Sequence, residues 1–310
     1  MSTDTTPWTG QDLISIRDLS RKDIETVLDE AQRIDTDPDL LRSVIIASLF
    51  FEPSTRTQLS FSTAALRLGA RLIGVASGEA TSKAKGETLA DTVRMAESYA
   101  DLIIIRHPLE GSARLAADTA DIPVVNAGDG ANQHPTQTLL DLFMIQKSLG
   151  RIDGLKIGMV GDLRYGRTVH SLAQALTRFD DVSLRLMSPS TLRIPDGVRR
   201  ELDGELGVEE IDDLAVEDLD VVYVTRIQRE RFPDVEAYDK VQGTYVVTPE
   251  TADSMRKYAI ILHPLPRVDE IEPAVDDKPQ AKYFEQARGG VPVRMALLKL
   301  LLGGPDGGQS

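Results

Sequence analysis

Phe50–Ser60 reads FFEPSTRTQLS, and its reading decides the fold. The run from Val44 to Phe51 is β-branched and apolar, as a strand buried on both faces requires, and Pro53 breaks it. Ser54 then opens an amphipathic helix carried by Leu59, Phe61, Ala65, Leu66 and Leu68. A strand, a tight turn and a helix start are the opening of an α/β unit. The first turn of that helix collects Ser54, Thr55, Arg56 and Thr57. A helix N-terminus offers unpaired N–H groups and partial positive charge, so three hydroxyls and a guanidinium there suit an oxyanion such as phosphate. Taken alone, an ordinary N-cap beside a surface Arg fits these residues equally well.

Working outward, strand and helix patterns alternate along most of the chain. Ser20–Asp35 is a helix capped by Ser20, and Arg71–Val75 is a short strand. Gly78–Gly86 is a small, polar stretch with the character of a surface loop, yet Lys83 and Lys85 are two of only ten lysines in the chain. Leu102–Ile105 is a fully apolar strand ending at Arg106 and His107, and strand ends in parallel sheets carry binding residues. After the strand at Pro123–Asn126, a Gly- and Asn-rich turn leads to His134, Pro135, Thr136 and Gln137. Pro135 suits the first turn of the helix that follows.

A second series begins at Asp153–Val160 and continues with strands at Val182–Met187, Val221–Val224 and Tyr258–Leu262. The acidic stretch Glu201–Asp220 reads as a solvated face. Gly161, Gly166, Arg167 and Thr168 have the spacing of a nucleotide-binding P-loop, but Arg167 stands where that motif needs a lysine, and the two side chains are not interchangeable. The strand at Val221–Val224 delivers Thr225 and Arg226, and the strand at Tyr258–Leu262 delivers His263–Arg267. Repeated alternation of this kind predicts two α/β domains, each a mainly parallel sheet flanked by helices.

Composition narrows the function. With 310 residues the chain is long enough for two cores, and a hydrophobic content of 41% supports them. Without cysteine there is no thiolate chemistry and no Cys-based zinc site. The net charge of −14 argues against nucleic acid as a partner. No apolar run reaches membrane-spanning length, and the N-terminus has neither a basic segment nor an apolar signal core, so a cytoplasmic protein is expected. Scarce lysine and abundant carboxylate describe a hydrated acidic surface of the kind that stays soluble in concentrated salt, pointing to a halophilic source.

FFEPSTRT, the later HPTQ and the final HPLP together resemble the aspartate/ornithine carbamoyltransferase family, from about Leu13 to Leu302. The resemblance implies a carbamoyl-phosphate domain over residues 1–134, with the C-terminal helix at 288–310 packing back on it, and an aspartate domain over residues 135–287. It places the active site between the domains and at a subunit interface. The reaction implied is attack by the α-amino group of L-aspartate on the carbonyl carbon of carbamoyl phosphate, without metal or cofactor.

By the same resemblance, Ser54, Thr55, Arg56 and Thr57 hold the phosphate, Arg106 touches carbonyl and phosphate oxygens, and His134 donates to the carbamoyl carbonyl. Gln137 holds the carbamoyl amide together with the main chain of Leu265 and Pro266. Lys85, from a neighbouring subunit's loop, contacts both anions. Thr81 or Ser82 adds a hydroxyl to the phosphate, with Thr81 preferred. Arg167 and Arg226 clamp aspartate, Gln228 supports Arg226, and Arg231 together with Arg167 pairs with Glu52 across the domains. A cysteine expected at Pro264 in an ornithine enzyme is absent, which favours aspartate. The family implies a homotrimer and includes both free trimers and larger assemblies with regulatory chains.

Overall fold

The computed structural model describes residues 8–75, 86–227 and 245–303. The chain divides into two compact units, Met1–Leu139 with Gly289–Ser310, and Leu140–Arg288. Among the described residues no helix is long and apolar enough to cross a membrane.

The first unit is built on strands β1 (Ile45–Phe50), β2 (Arg71–Val75), β3 (Leu102–His107) and β4 (Val124–Asp129), with helices α1 (Arg21–Arg33), α2 (Thr55–Arg67), α3 (Leu89–Glu97) and α4 (Ser112–Ala117). The sheet order is β2-β1-β3-β4 and every pairing is parallel. Ile103 and Ile105 from β3 meet Ala47, Leu49 and Val124 from neighbouring strands and Val93, Ala113 and Ala116 from the covering helices. Each such large side chain taken out of water contributes roughly 1.5–3 kcal/mol. Among the described residues, several helices start on side-chain caps. In α1 the Ser20 hydroxyl accepts the Asp23 N–H (3.2 Å) while the Asp23 carboxylate accepts the Ser20 N–H (2.9 Å), and Thr88 caps α3.

The second unit carries β5 (Lys156–Val160), β6 (Ser183–Met187), β7 (Gly207–Ile211), β8 (Val221–Val224) and β9 (Ile260–Leu262), ordered β7-β6-β5-β8-β9, again all parallel. Helices α6 (Arg167–Leu176), α7 (Asp196–Leu202) and α8 (Pro249–Ser254, capped by Thr248) belong to it. The division between units falls inside α5 (Pro135–Leu149) and inside α9 (Tyr283–Leu302).

Three features differ from the sequence reading. Leu59 and Leu66, placed there on the buried stripe of α2, are 61% and 64% exposed. Thr57, Phe61, Ala64, Ala65 and Leu68 form the core side instead. Strand β7 lies within the acidic stretch, and its burial pattern of exposed and half-buried residues is that of a charged sheet edge. Helix α9 spans Tyr283–Leu302, so it begins ahead of the 288–310 range read from the sequence and runs through Gly289, Gly290 and Pro292.

Candidate active site

A doubly wound parallel sheet binds ligands at the carboxyl ends of its strands, where the strand order reverses. In the first unit β1 connects to β2 on one side while β3 connects to β4 on the other, so the reversal lies between β1 and β3. Phe50 is in register with Arg106 at that point, and the Phe51 N–H continues the pairing to the Arg106 carbonyl (2.8 Å). The residues leaving β1 are Glu52–Thr57, so the N-terminus of α2 and Arg106 converge at the crevice.

Ser54 occupies the N-cap position of α2 yet makes no capping hydrogen bond, unlike Ser20, Thr88 and Thr248. Its hydroxyl is therefore not spent on the helix. Arg56 is exposed, but desolvation by the surrounding protein still lowers its guanidinium from the ordinary value. An arriving anion favours the charged form and reverses that effect. Arg106 donates to the Ala127 carbonyl (3.0 Å) and pairs with Glu52 (2.5 Å), which ties the ends of β1, β3 and β4 together. Glu52 thus has a partner that the sequence did not suggest, within its own unit.

The turn after β4 is built on Asp129. Its carboxylate accepts the N–H groups of Gly111 (3.0 Å) and Gln133 (3.1 Å) and the side-chain amides of Asn126 (3.0 Å) and Asn132 (3.0 Å). This brings the chain to His134, whose carbonyl accepts from Gln137 and Thr138 at the start of α5. His134 is buried, with its Nδ1 3.5 Å from the Thr136 hydroxyl, and Gln137 is half-buried. His107 is structural. Its Nδ1 accepts the Leu109 N–H (3.1 Å) and meets the Ser112 hydroxyl (2.8 Å).

Order reverses in the second unit between β5 and β8, which pair from Ile157 to Val160 against Val221 to Val224. Gly161 follows β5 with φ +107, and a Cβ there would lie 2.3 Å from the Thr225 carbonyl oxygen, so only glycine fits. The Thr225 hydroxyl donates to Val160 O (2.9 Å). The Asp162 carboxylate accepts the N–H groups of Arg164 (3.1 Å) and Tyr165 (2.9 Å), and His170 donates to Leu163 O (2.8 Å). That frame sets Arg167 at the first position of α6, behind Gly166, and both Arg167 and Arg226 are half-buried. Beside them β9 ends at Leu262, and the segment after it, which starts at His263 and holds a cis Leu265–Pro266 peptide, exposes Pro266.

Thr81, Ser82, Lys85, Gln228 and Arg231 lie outside the described residues. The sequence reading missed Asp129, Asp162 and the buried His263–Glu270 pair as supports of the site. Only their spacing from loop N–H groups could have signalled them.

Family models match both halves of the chain. Residues 11–147 match the aspartate/ornithine carbamoyltransferase carbamoyl-P binding domain, and residues 153–301 match the corresponding Asp/Orn binding domain. The aspartate carbamoyltransferase catalytic subunit of Thermococcus kodakarensis is 58% identical over 306 residues, covering 96% of this chain and 98% of the relative. Among solved structures, the catalytic subunit of M. jannaschii aspartate transcarbamoylase superposes with a TM-score of 0.88 at 50% identity, covering 94% of this chain and 97% of the other. Aspartate transcarbamoylase from Trypanosoma cruzi, in complex with carbamoyl phosphate and aspartate, gives 0.90 at 37% identity, covering 96% and 99%. Matched in both halves and along almost its whole length, the chain belongs to the aspartate/ornithine carbamoyltransferase family.

Proposed function

We propose that the chain transfers the carbamoyl group of carbamoyl phosphate to the α-amino group of L-aspartate, releasing phosphate and N-carbamoyl-L-aspartate. The observation that carries this reading is the crevice between β1 and β3, where the uncapped Ser54 hydroxyl, the α2 N-terminus, Arg56 and Arg106 meet. The names of the relatives, and the ligands of the T. cruzi enzyme, supply the substrates.

Carbamoyl phosphate is taken by Ser54, Thr55, Arg56, Thr57, Arg106, His134 and Gln137, with Thr81 and Lys85 from the loop and the Leu265 and Pro266 main chain. Aspartate is taken by Arg167, Arg226, Gln228 and Lys85, and Arg231 acts with Glu52. The neutral amine attacks the carbonyl carbon, the C–N bond forms, and negative charge gathers on the carbonyl oxygen. Donors from Thr57, Arg106 and His134 stabilise that oxyanion as fixed dipoles do in other acyl transfers. The tetrahedral species collapses with loss of phosphate, whose charge Arg56 and Lys85 offset, while the amine proton passes to the departing phosphate or to solvent. Bidentate guanidinium contacts from Arg167 and Arg226 orient the nucleophile, so positioning supplies much of the rate.

The exposed Leu59 and Leu66 on α2, with half-exposed Ile73 on the edge strand β2, support a homo-oligomer, and we assign a homotrimer with shared sites. The assignment extends to a cytoplasmic enzyme of pyrimidine (UMP) biosynthesis in a salt-adapted cell. Regulatory chains would join such trimers through surfaces outside the site.

Kinetics of two variants test the reading. Arg56→Ala is expected to lower turnover by about 10²–10³-fold. Arg226→Ala is expected to raise the aspartate KM by roughly 10- to 100-fold while leaving the carbamoyl-phosphate KM near its parent value. Aspartate kinetics unchanged in Arg226→Ala would remove that residue from the acceptor site.

A further inference from the structure

Behind the Leu265–Pro266 segment lies a buried chain of hydrogen bonds. The Leu265 N–H donates to His263 Nδ1 (2.8 Å), which leaves the ring proton on Nε2, and Nε2 donates to Glu270 Oε1 (2.6 Å). Glu270 Oε2 accepts the N–H groups of Val268 (3.0 Å) and Asp269 (3.1 Å). The His263 N–H donates to Gln286 Oε1 (2.8 Å), and Gln286 Nε2 donates to Asp141 Oδ1 (2.6 Å). Asp141 Oδ2 in turn accepts the Tyr223 hydroxyl (2.9 Å), so the chain ends in the core of the sheet.

All five of these side chains are buried, whereas Leu265 is half-buried and Pro266 exposed. Leu265 has φ +53, a left-handed conformation that residues with a Cβ seldom hold without support. His263 supplies that support. The Leu265 N–H points at Nδ1, which accepts it, while Nε2 faces Glu270. Burial pushes the Glu270 carboxyl up, but the hydrogen bond and electrostatic effect of His263, with the Glu270 and Val268 N–H groups, outweigh it and hold the group below its ordinary value.

We propose that His263 and Glu270 are positioning residues for carbamoyl transfer, holding the Leu265 and Pro266 main chain in the conformation that receives the carbamoyl amino group. This rests on the reading that those main-chain carbonyls face the substrate. Neither side chain touches the reacting atoms. Their effect passes through the backbone between them, and small displacements of an aligning group are costly in rate.

His263→Asn, His263→Gln and Glu270→Gln separate this role from a merely structural one. Asparagine places an amide oxygen where Nδ1 stood and can still accept the Leu265 N–H. Glutamine reaches toward Glu270 but leaves Leu265 N–H without that acceptor. Glu270→Gln turns an amide NH2 toward either the imidazole N–H or two backbone N–H groups. The expected result is a kcat lower by about tenfold or more in His263→Gln and Glu270→Gln, per mole of folded enzyme, with the aspartate KM within about threefold of parent. His263→Asn is expected to recover most of that loss. A kcat within about twofold of parent in His263→Gln and Glu270→Gln would overturn the proposal, as would equal losses in His263→Asn and His263→Gln. Should His263→Gln fail to fold, Glu270→Gln against His263→Asn decides by the same criteria. Failure of the proposed activity, on which that reading of the carbonyls depends, shows separately, as a parent enzyme that makes no carbamoylaspartate.

Discussion

Arg56 and Arg106 meet an anion from different starting points. Arg106 already holds the Ala127 carbonyl and the Glu52 carboxylate, so an arriving anion competes with Glu52 for its guanidinium. Arg56 is exposed and desolvated enough to lower its guanidinium, so binding an anion restores what burial removed. On the proposed assignment, the loss expected for Arg56→Ala falls on turnover, and that for Arg226→Ala on aspartate binding. The candidate residues stand out in the sequence because STRT, HPTQ and HPLP are short, consecutive motifs. Their supports were not. Asp129 gathers Gly111, Asn126, Asn132 and Gln133, and His263 reaches Glu270, through contacts that depend on turn geometry rather than on any periodic pattern.

At the scale of elements, α2 does two jobs on two faces. Phe61, Ala64, Ala65 and Leu68 pack against the sheet, and Leu59 and Leu66, seven residues apart, form a second apolar stripe facing outward. A periodicity search sums both stripes into one, which is why the sequence placed these leucines in the core. Strand β7 is hard to read from sequence because Glu209 and Glu210 lower its β propensity. The outward stripe is the surface that the proposed oligomer would bury. Glutamate at both Leu59 and Leu66 should convert a particle of about three chain masses in light scattering to single chains and abolish most activity, since charge on a buried apolar contact is costly. An unchanged mass would detach the stripe from the interface.

The whole chain carries a net charge of −14. At low ionic strength the excess carboxylates repel one another, and molar salt shortens the screening length to about 3 Å. Melting temperature and activity should therefore both fall as potassium chloride is lowered from about 1 M toward about 0.05 M. A flat response would remove the salt-adapted reading without touching the chemistry. The two sheet reversals, β1 against β3 and β5 against β8, organise the candidate residues in their respective units, and strand order of this kind is a long-range property that local patterns do not encode. The most direct measurement is product formation by the full chain in molar potassium chloride from carbamoyl phosphate with L-aspartate or with L-ornithine. N-carbamoyl-L-aspartate and phosphate in equal amounts, with no turnover of ornithine, is the predicted result. Turnover of ornithine alone, or no product from either acceptor in a folded oligomer, would contradict it.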